Sequence, residues 1–101
     1  MVKVKKSEYI IISRTLVRKL YDETCFGKGS LYIESLMKGI PKEYLDKIEI
    51  VLNALIKQDI CSKKKKEHGW KYYLNIKRID KIKEIIKESG NNSIIPMLLF
   101  L

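Results

Sequence analysis

The stretch KKKKEHGWKYYLN, at residues 63–75, constrains the fold more than any other part of the chain. After its central turn, large apolar residues alternate with polar ones, which is the period of a half-buried strand. These apolar residues are Trp70, Tyr72, Leu74 and Ile76. Residues 60–64 predict a partner strand, and residues 65–69 predict the connection. The lysines are therefore expected on one arm and the tip of a folded β-hairpin, rather than in a disordered basic tail.

Helical periodicity surrounds this hairpin. Apolar residues recur at intervals of three and four over four segments, each of which predicts an amphipathic helix. The segments are residues 7–24, 31–38, 41–58 and 77–89. The second and third are joined by Gly39-Ile40-Pro41, which gives the outline of a helix-turn-helix. Three helices, a hairpin and a fourth helix predict a mainly α protein with a small β-hairpin, the winged helix-turn-helix class.

Residues at the helix boundaries support this division. Ser7 and Ser30 are side chains that cap helix N-termini, so we expect them to begin the first two helices. Gly39 and Gly90 are expected to end the second and fourth helices. Pro41 is expected as the first residue of the third helix, where a missing N–H costs no hydrogen bond.

The 101 residues suit one domain, which we assign to residues 1–90. Residues 91–101 form an apolar tail that is far shorter than the ~20 residues of a membrane-spanning helix. Apolar segments of this kind often mark interfaces, and two-fold dimers are the commonest oligomers. The tail is therefore expected to pack on its own domain or on a second copy, and a homodimer is favoured.

The net charge of +9 predicts a polyanion or an acidic protein surface as the partner. The charge is unevenly spread. Residues 57–87 carry eleven basic and four acidic side chains, a net +7, whereas residues 21–56 carry four basic and six acidic ones, a net −2. Phosphate contacts are therefore expected around the hairpin rather than in the middle third of the chain.

The cysteine and histidine content argues against a metal site. Two cysteines and one histidine are too few for a structural zinc site, which usually needs four ligands at short spacings. Cys25 and Cys61 form either a disulfide or two buried thiols, and buried thiols are favoured. No arrangement of nucleophile and base is recognisable. We therefore expect no cofactor and no enzymatic activity.

The hairpin lysines are the first candidate binding residues. Four consecutive like charges repel one another, so an exposed turn rarely carries them without a use. Lysines at this position can contact phosphates and release counterions. The candidates are Lys63, Lys64, Lys65, Lys66 and Lys71, with Tyr73 as a ring that can stack on a base. The alternation places Trp70 and Tyr72 on the core side instead.

The third helix is the expected groove reader of a helix-turn-helix. Its candidate contacts are Lys42, Lys47 and Asn53. Three acidic residues share this surface and oppose phosphate approach, namely Glu43, Asp46 and Glu49. The mixture leaves two alternatives open: a base-reading surface or a surface that docks on a protein.

Basic residues near the N-terminus are a further candidate. Arg14, Arg18 and Lys19 lie mostly opposite the apolar side of the first helix, and Lys3, Lys5 and Lys6 precede it. They either extend the basic footprint or form a solvated surface. The opening MVKVKKSEYIII lacks the long apolar region of a secretory signal, which predicts a cytoplasmic location.

Residues from Gly39 to about Glu88 resemble the N-terminal winged helix of archaeal transcription factor E and of the alpha subunit of TFIIE. The resemblance is carried by GIPKEYLDKIEIVLNALIKQDI, then GWKYYLN, then RIDKIKEIIKE. In that family a Gly-Trp opens an aromatic wing strand that ends in Leu-Asn, as Gly69-Trp70 and Leu74-Asn75 do here. The zinc ribbon that follows this domain in the family has no counterpart among these residues.

The resemblance implies work on DNA or with the transcription machinery. The leading prediction is a winged-helix protein that binds double-stranded DNA and regulates transcription. The alternative is an adaptor that docks on a protein of the transcription or repair machinery. A third reading, binding to an anionic membrane surface, would use the same lysines, but a membrane is not the favoured partner.

Overall fold

The computed structural model describes residues 3–88. In this range the chain is mainly helical and carries one small antiparallel sheet, as the sequence predicted. In chain order the elements are α1 (Lys6–Asp22), β1 (Leu31–Tyr32), α2 (Ile33–Met37), a 3₁₀ turn (Lys42–Lys47), α3 (Ile48–Lys57), β2 (Cys61–Lys66), β3 (Gly69–Leu74), a second 3₁₀ turn (Ile76–Arg78) and α4 (Ile79–Glu88).

β3 is the central strand of the sheet. It pairs antiparallel with β2 along its whole length, in a register that sets Cys61 opposite Leu74. Its other edge pairs with β1, where Leu31 lies opposite Tyr72. The sheet order is therefore β1-β3-β2. The third strand matters because an isolated two-stranded hairpin is only marginally stable in water.

The helix predicted over residues 31–38 is wrong in its first two residues, because they form β1. α2 begins at Ile33, so its N-cap is Tyr32, in extended backbone, and not Ser30. A two-residue strand shows no alternation, and its pairing with β3 joins residues far apart in the chain. Local periodicity therefore gave no signal for it.

The segment predicted as one helix over residues 41–58 has two parts. Residues Lys42–Lys47 form a 3₁₀ turn, and α3 begins only at Ile48. Pro41 precedes the turn in extended backbone, with φ −54° and ψ 140°, and its carbonyl accepts a hydrogen bond from the Tyr44 N–H at 2.9 Å. The connection between α2 and α3 is consequently longer than the three residues that the sequence predicted.

Two other helix boundaries gave different outcomes. α1 begins at Lys6, so Ser7 lies inside its first turn and is not the N-cap. The N–H of Lys5 donates instead to the Glu8 carboxylate at 3.0 Å. Gly39 follows the C-cap of α2 with a φ of +79°, the left-handed conformation that favours glycine. Its predicted place at the end of the second helix is confirmed.

The hydrophobic core lies between the helices and the inner half of the hairpin. Ile48, Leu52 and Leu55 form the predicted buried stripe of α3, whereas Leu45 and Ile56 are only partly buried. The residues that are at most 2% exposed are Ile12, Leu16, Val17, Leu20, Cys25, Leu36, Ile48, Val51, Leu52, Leu55, Ile60, Cys61, Leu74 and Ile82. α1 thus packs against α3, α4 and β3 through one continuous core.

Both cysteines are free and buried, which selects the buried-thiol alternative. Burial raises the pKa of the Cys61 thiol to about 12. Burial also raises the pKa of Cys25, and the nearby Glu23 carboxylate adds to the effect. At neutral pH both thiols are therefore protonated, and a protonated thiol is a poor nucleophile and a poor metal ligand.

α4 follows β3 through the second 3₁₀ turn, where the Asn75 side chain accepts a hydrogen bond from the Lys77 N–H at 3.1 Å. Ile76 lies in that turn and is 55% exposed, so the predicted alternation stops at Leu74. Gly90 and the tail of residues 91–101, with its predicted role in dimerisation, lie outside the described residues. Among residues 3–88, no helix has the length and hydrophobicity needed to span a bilayer.

Two isoleucines of α3 provide a matched test of this core. Ile48 is fully buried, whereas Ile50 is 41% exposed. We expect Ile48→Ala to lower the free energy of unfolding by about 2–5 kcal/mol, through lost burial and a cavity. Ile50→Ala should change it by about 0.5 kcal/mol or less, as surface substitutions do. Urea denaturation of both variants measures the difference, and equal losses would contradict this packing.

Candidate nucleic-acid interface

The hairpin formed by β2 and β3 has two faces, because directly opposite residues share a side of an antiparallel pair. The register defines them. The core face carries Cys61, Lys63, Lys65, Trp70, Tyr72 and Leu74. The outer face carries Ser62, Lys64, Lys66, Lys71 and Tyr73. Only Glu67 and His68 lie between the strands, so Lys65 and Lys66 are paired strand residues rather than part of the predicted connection.

The core face of the hairpin is buried at one end and exposed near the turn. Tyr72 and Leu74 are buried, but Trp70 is 44% exposed. The prediction that Trp70 packs in the core is therefore wrong. Alternation correctly places Trp70 on the same face as Tyr72, but the hairpin extends past the helices that cover that face. In place of core residues, the ammonium of Lys63 lies 4.5 Å from the centroid of the Trp70 ring.

The outer face holds two of its lysines within the protein. Lys64 donates a hydrogen bond to the Gly27 carbonyl at 2.6 Å, and its ammonium lies 5.5 Å from the Tyr73 ring centroid. Lys71 lies 4.9 Å from the ring centroid of Tyr32. Both lysines are half-buried. Their charges stabilise the sheet surface and the loop before β1, and they are less available to an external phosphate than predicted.

Three of the predicted lysines remain exposed, namely Lys63, Lys65 and Lys66. They lie within the last four residues of β2, which leads into the two-residue turn. Their side chains point to both sides of the hairpin, since Lys63 and Lys65 share the core face and Lys66 the outer face. This part of the molecule can meet a curved, negatively charged surface from more than one direction.

Tyr73, predicted to stack on a base, is half-buried and packs against the core cluster. The ammonium of Lys64 lies over its ring. Base stacking at Tyr73 stays a prediction, but less of its ring is open than that of Trp70.

The predicted contacts around α3 fall into two groups. Lys42 and Asn53 are exposed. Lys47 is paired within the protein, because its ammonium lies 2.5 Å from the Glu8 carboxylate and the two side chains are only 18% and 17% exposed. This ion pair joins the start of α1 to the turn before α3. Because the Glu8 carboxylate neutralises the charge of the Lys47 ammonium, the prediction that Lys47 contacts phosphate is weakened.

The exposed side of α3 is acidic and apolar. Asp46, Glu49, Ile50 and Asn53 follow one another at helical spacing and are all exposed. The structure thus retains the mixture that left two alternatives open in the sequence.

The basic residues of α1 make a smaller footprint than predicted. Arg14 is only 7% exposed. Lys19 donates hydrogen bonds to the carbonyls of Ser35 and Leu36 at 3.3 and 3.2 Å, and to that of Lys38. Arg18 is exposed, 4.0 Å from an Asp22 carboxylate oxygen.

Lys19 thereby caps the C-terminal end of α2, where orphan carbonyls and the helix dipole favour a cation. Desolvation lowers the pKa of its ammonium, and the nearby charge of Lys38 adds to this effect. Sequence reasoning missed the cap because the carbonyls belong to residues 16–19 positions further along the chain.

In the part of the chain from residue 3 to residue 88, no group of three or more histidine, cysteine, aspartate or glutamate side chains is placed to hold a metal ion. A scan against protein-family models gives no match to this chain, and searches of curated proteins and of solved structures give none either.

The Glu8–Lys47 pair should make stability depend on pH. Contact with the Lys47 ammonium lowers the pKa of the Glu8 carboxyl below its usual 4.5, and the Lys5 N–H adds to the effect. A lowered folded pKa means that the pair stabilises the protein above pH 4.5 and that this contribution is lost as the pH falls through the folded value. Glu8→Gln should therefore reduce stability at neutral pH and flatten its decline in acid.

Urea titrations between about pH 7 and pH 3 measure this dependence. Glu84→Gln is the matched control, because Glu84 is 67% exposed and lies 3.7 Å from Lys81. Such an exposed pair contributes little. Overlapping pH profiles for the two variants would show that the Glu8 pair is not a significant source of stability.

Proposed function

We propose that this chain is a winged helix-turn-helix protein that binds double-stranded DNA and regulates transcription. The order of elements supports the fold: α2 and α3 follow in sequence, a hairpin comes next, and α4 closes the domain. β3 lies between β1 and β2, and we propose that the end of the hairpin around Glu67 and His68 acts as the wing. The resemblance of residues 39–88 to the winged helix of archaeal transcription factor E points the same way.

The observation that carries the proposal is the cluster of exposed lysines at the distal hairpin. Lys63, Lys65 and Lys66 are exposed, although Lys63 also lies over the Trp70 ring, whereas the neighbouring Lys64 and Lys71 are half-buried against groups of the protein. Three cations held on one rigid finger are suited to a phosphate backbone, where each contact releases counterions. The wing would supply affinity, and this affinity would fall steeply with salt.

α3 would lie in or near the major groove and contribute selectivity rather than affinity. Its exposed side carries Asn53, which suits adenine, and Glu49, which can accept from the cytosine amino group. The exposed methyl groups of Ile50 suit contact with a thymine methyl. The acidic charge of this surface disfavours non-specific phosphate contact, so the wing lysines would supply most of the affinity for DNA.

Two further parts of the proposal rest on the sequence alone. The apolar residues 91–101 favour a homodimer, and a two-fold dimer would present two wings to a palindromic site. A cytoplasmic location is proposed with it. Neither is needed for the lysine wing to bind DNA.

A second function is favoured by one observation on α3. Ile50 is 41% exposed between Glu49 and Asn53, on the surface that would face DNA. An apolar side chain among acidic ones also suits docking on a protein, such as a component of the transcription or repair machinery. An adaptor of this kind would hold its partner when nucleic acid is digested, and Ile50→Arg would release that partner.

Replacing the three exposed wing lysines should separate these functions. Lys63→Ala, Lys65→Ala and Lys66→Ala combined should weaken binding to every duplex sequence. The slope of log affinity against log salt should become shallower by up to about 2.7, if each lysine meets one phosphate. Fluorescence anisotropy with labelled duplex DNA at several salt concentrations measures both quantities.

The charge-matched control replaces Lys3, Lys83 and Lys87, which are also exposed but lie away from the hairpin. It should keep most of the affinity and of the salt slope. Equal losses in both variants would mean that net charge, and not the wing, holds the DNA. Absence of duplex binding by the unaltered protein at low salt would overturn the proposed function and favour the adaptor.

A further inference from the structure

We propose that Trp70 and its flanking lysines form a stacking site for unpaired bases, so that the wing binds single-stranded nucleic acid as well as duplex. The inference rests on the proposed function, because it assigns a ligand class to part of the same wing. It depends on a different contact, however, since duplex binding needs only the lysine charges. The two can therefore fail separately.

The exposure of Trp70 is the first observation. It is the only tryptophan in the chain and is 44% exposed, although its strand neighbour Tyr72 is 3% exposed on the same face. A large ring left in water forgoes the stabilisation that burial of its apolar surface gives, about 25 cal/mol for each Å². A base that stacks on the ring covers this surface and recovers part of that free energy.

The charges around the ring are the second observation. Lys63 and Lys65 share the core face of the hairpin with Trp70, and Lys65 lies directly opposite it across the strands. The Lys63 ammonium lies over one side of the indole, 4.5 Å from its centroid. A ring has two sides, and among residues 3–88 no second lysine or arginine lies over this one. A base on the ring would thus have cations beside it for the adjoining phosphates.

The tyrosine rings of the sheet do not offer this combination. Tyr72 is buried. Tyr73 and Tyr32 are half-buried, and each has a lysine ammonium over its ring, from Lys64 and Lys71 respectively. Binding without sequence preference to single strands uses this pairing of an open aromatic ring with a basic groove, because every base has a π face. The site would therefore distinguish unpaired from paired strands and would not distinguish one base from another.

The position of Trp70 suggests the preferred ligand. Trp70 is the second residue of β3, next to the two-residue turn, and it is exposed. We expect a duplex docked on α3 to leave its ring open to an adjoining unpaired strand. Inside a duplex a base is stacked on its neighbours, and taking it out costs a few kcal/mol. In an overhang or a gap the base is already free. We expect the tightest binding to a duplex that continues into an unpaired strand.

The single tryptophan makes the test direct. Stacking of a base on indole quenches its fluorescence, and with excitation at wavelengths that tyrosine does not absorb the signal comes only from Trp70. We expect a thymidine oligomer of about 12 nucleotides to quench the emission. A blunt duplex should bind, as judged by anisotropy of a label on the DNA, with little quenching. A duplex with a thymidine overhang should both bind and quench.

Substitution of the ring gives the second measurement. Trp70→Ala should weaken binding of the thymidine oligomer by about 5- to 150-fold, the range for one base stack, and leave blunt-duplex affinity unchanged. Trp70→Phe keeps a ring and should retain part of the affinity. Trp70 lies outside the buried core, and circular dichroism of both variants verifies that they fold.

Each other outcome contradicts the inference in a defined way. If the oligomer binds without quenching the tryptophan, or does not bind while the duplex does, the stacking site is wrong and the proposed function stands. An equal loss of single-strand and duplex affinity in Trp70→Ala would mean that the ring only shapes the wing. Should neither DNA bind, the proposed function fails together with the inference.

Discussion

The arrangement of the hairpin depends on how its inner half is held in the core. Tyr72 and Leu74 of β3 are buried, and β3 is paired on both edges. In addition to this pairing, two backbone hydrogen bonds hold the end of β3. The Leu74 N–H donates to the Cys25 carbonyl at 2.7 Å, and the Asn75 N–H donates to the Ile60 carbonyl at 2.9 Å. Because the base of the hairpin is fixed by apolar burial and by backbone hydrogen bonds, its distal end can carry repelling charges without unfolding. A finger of lysines on a mobile loop would lose more conformational entropy on meeting a ligand.

Internal partners divide the basic residues of this protein into structural and available ones. Lys19 caps the C-terminal end of α2, Lys47 pairs with Glu8 of α1, and Lys64 donates a hydrogen bond to the Gly27 carbonyl. Each of these contacts gives the ammonium hydrogen bonds that offset part of the cost of its desolvation. The net charge of +9 is unchanged by these contacts, and the exposed lysines Lys63, Lys65 and Lys66 of β2 lie close together in the chain. Such a division suits the proposed mode of binding, in which the wing lysines contact phosphates and α3 contacts bases.

Sequence periodicity was sufficient for the mainly helical class, for the hairpin and for most of the core, including Ile48, Leu52 and Leu55. It was insufficient at three places, and each has a physical reason. β1 is too short to alternate, and the 3₁₀ turn before α3 keeps an apolar spacing close to that of an α-helix. Trp70 follows the alternation of its strand, but alternation reports the face of a residue and not how far the neighbouring helices extend over it. The sequence placed candidate contacts on the basic hairpin and around α3, but which of the hairpin lysines are exposed was not predictable from it.

The sequence by itself determined most of the element types and the location of the positive charge, because both follow from side chains that are near one another in the chain. The tertiary structure alone decided which of these side chains remain exposed. Lys47 pairs with Glu8, and Lys64 donates a hydrogen bond to the Gly27 carbonyl. Trp70 is exposed because core residues do not cover it. All three outcomes depend on the packing of segments that are distant in the chain. Local pattern follows backbone geometry, which repeats over a few residues, whereas exposure depends on where the whole chain places its neighbours.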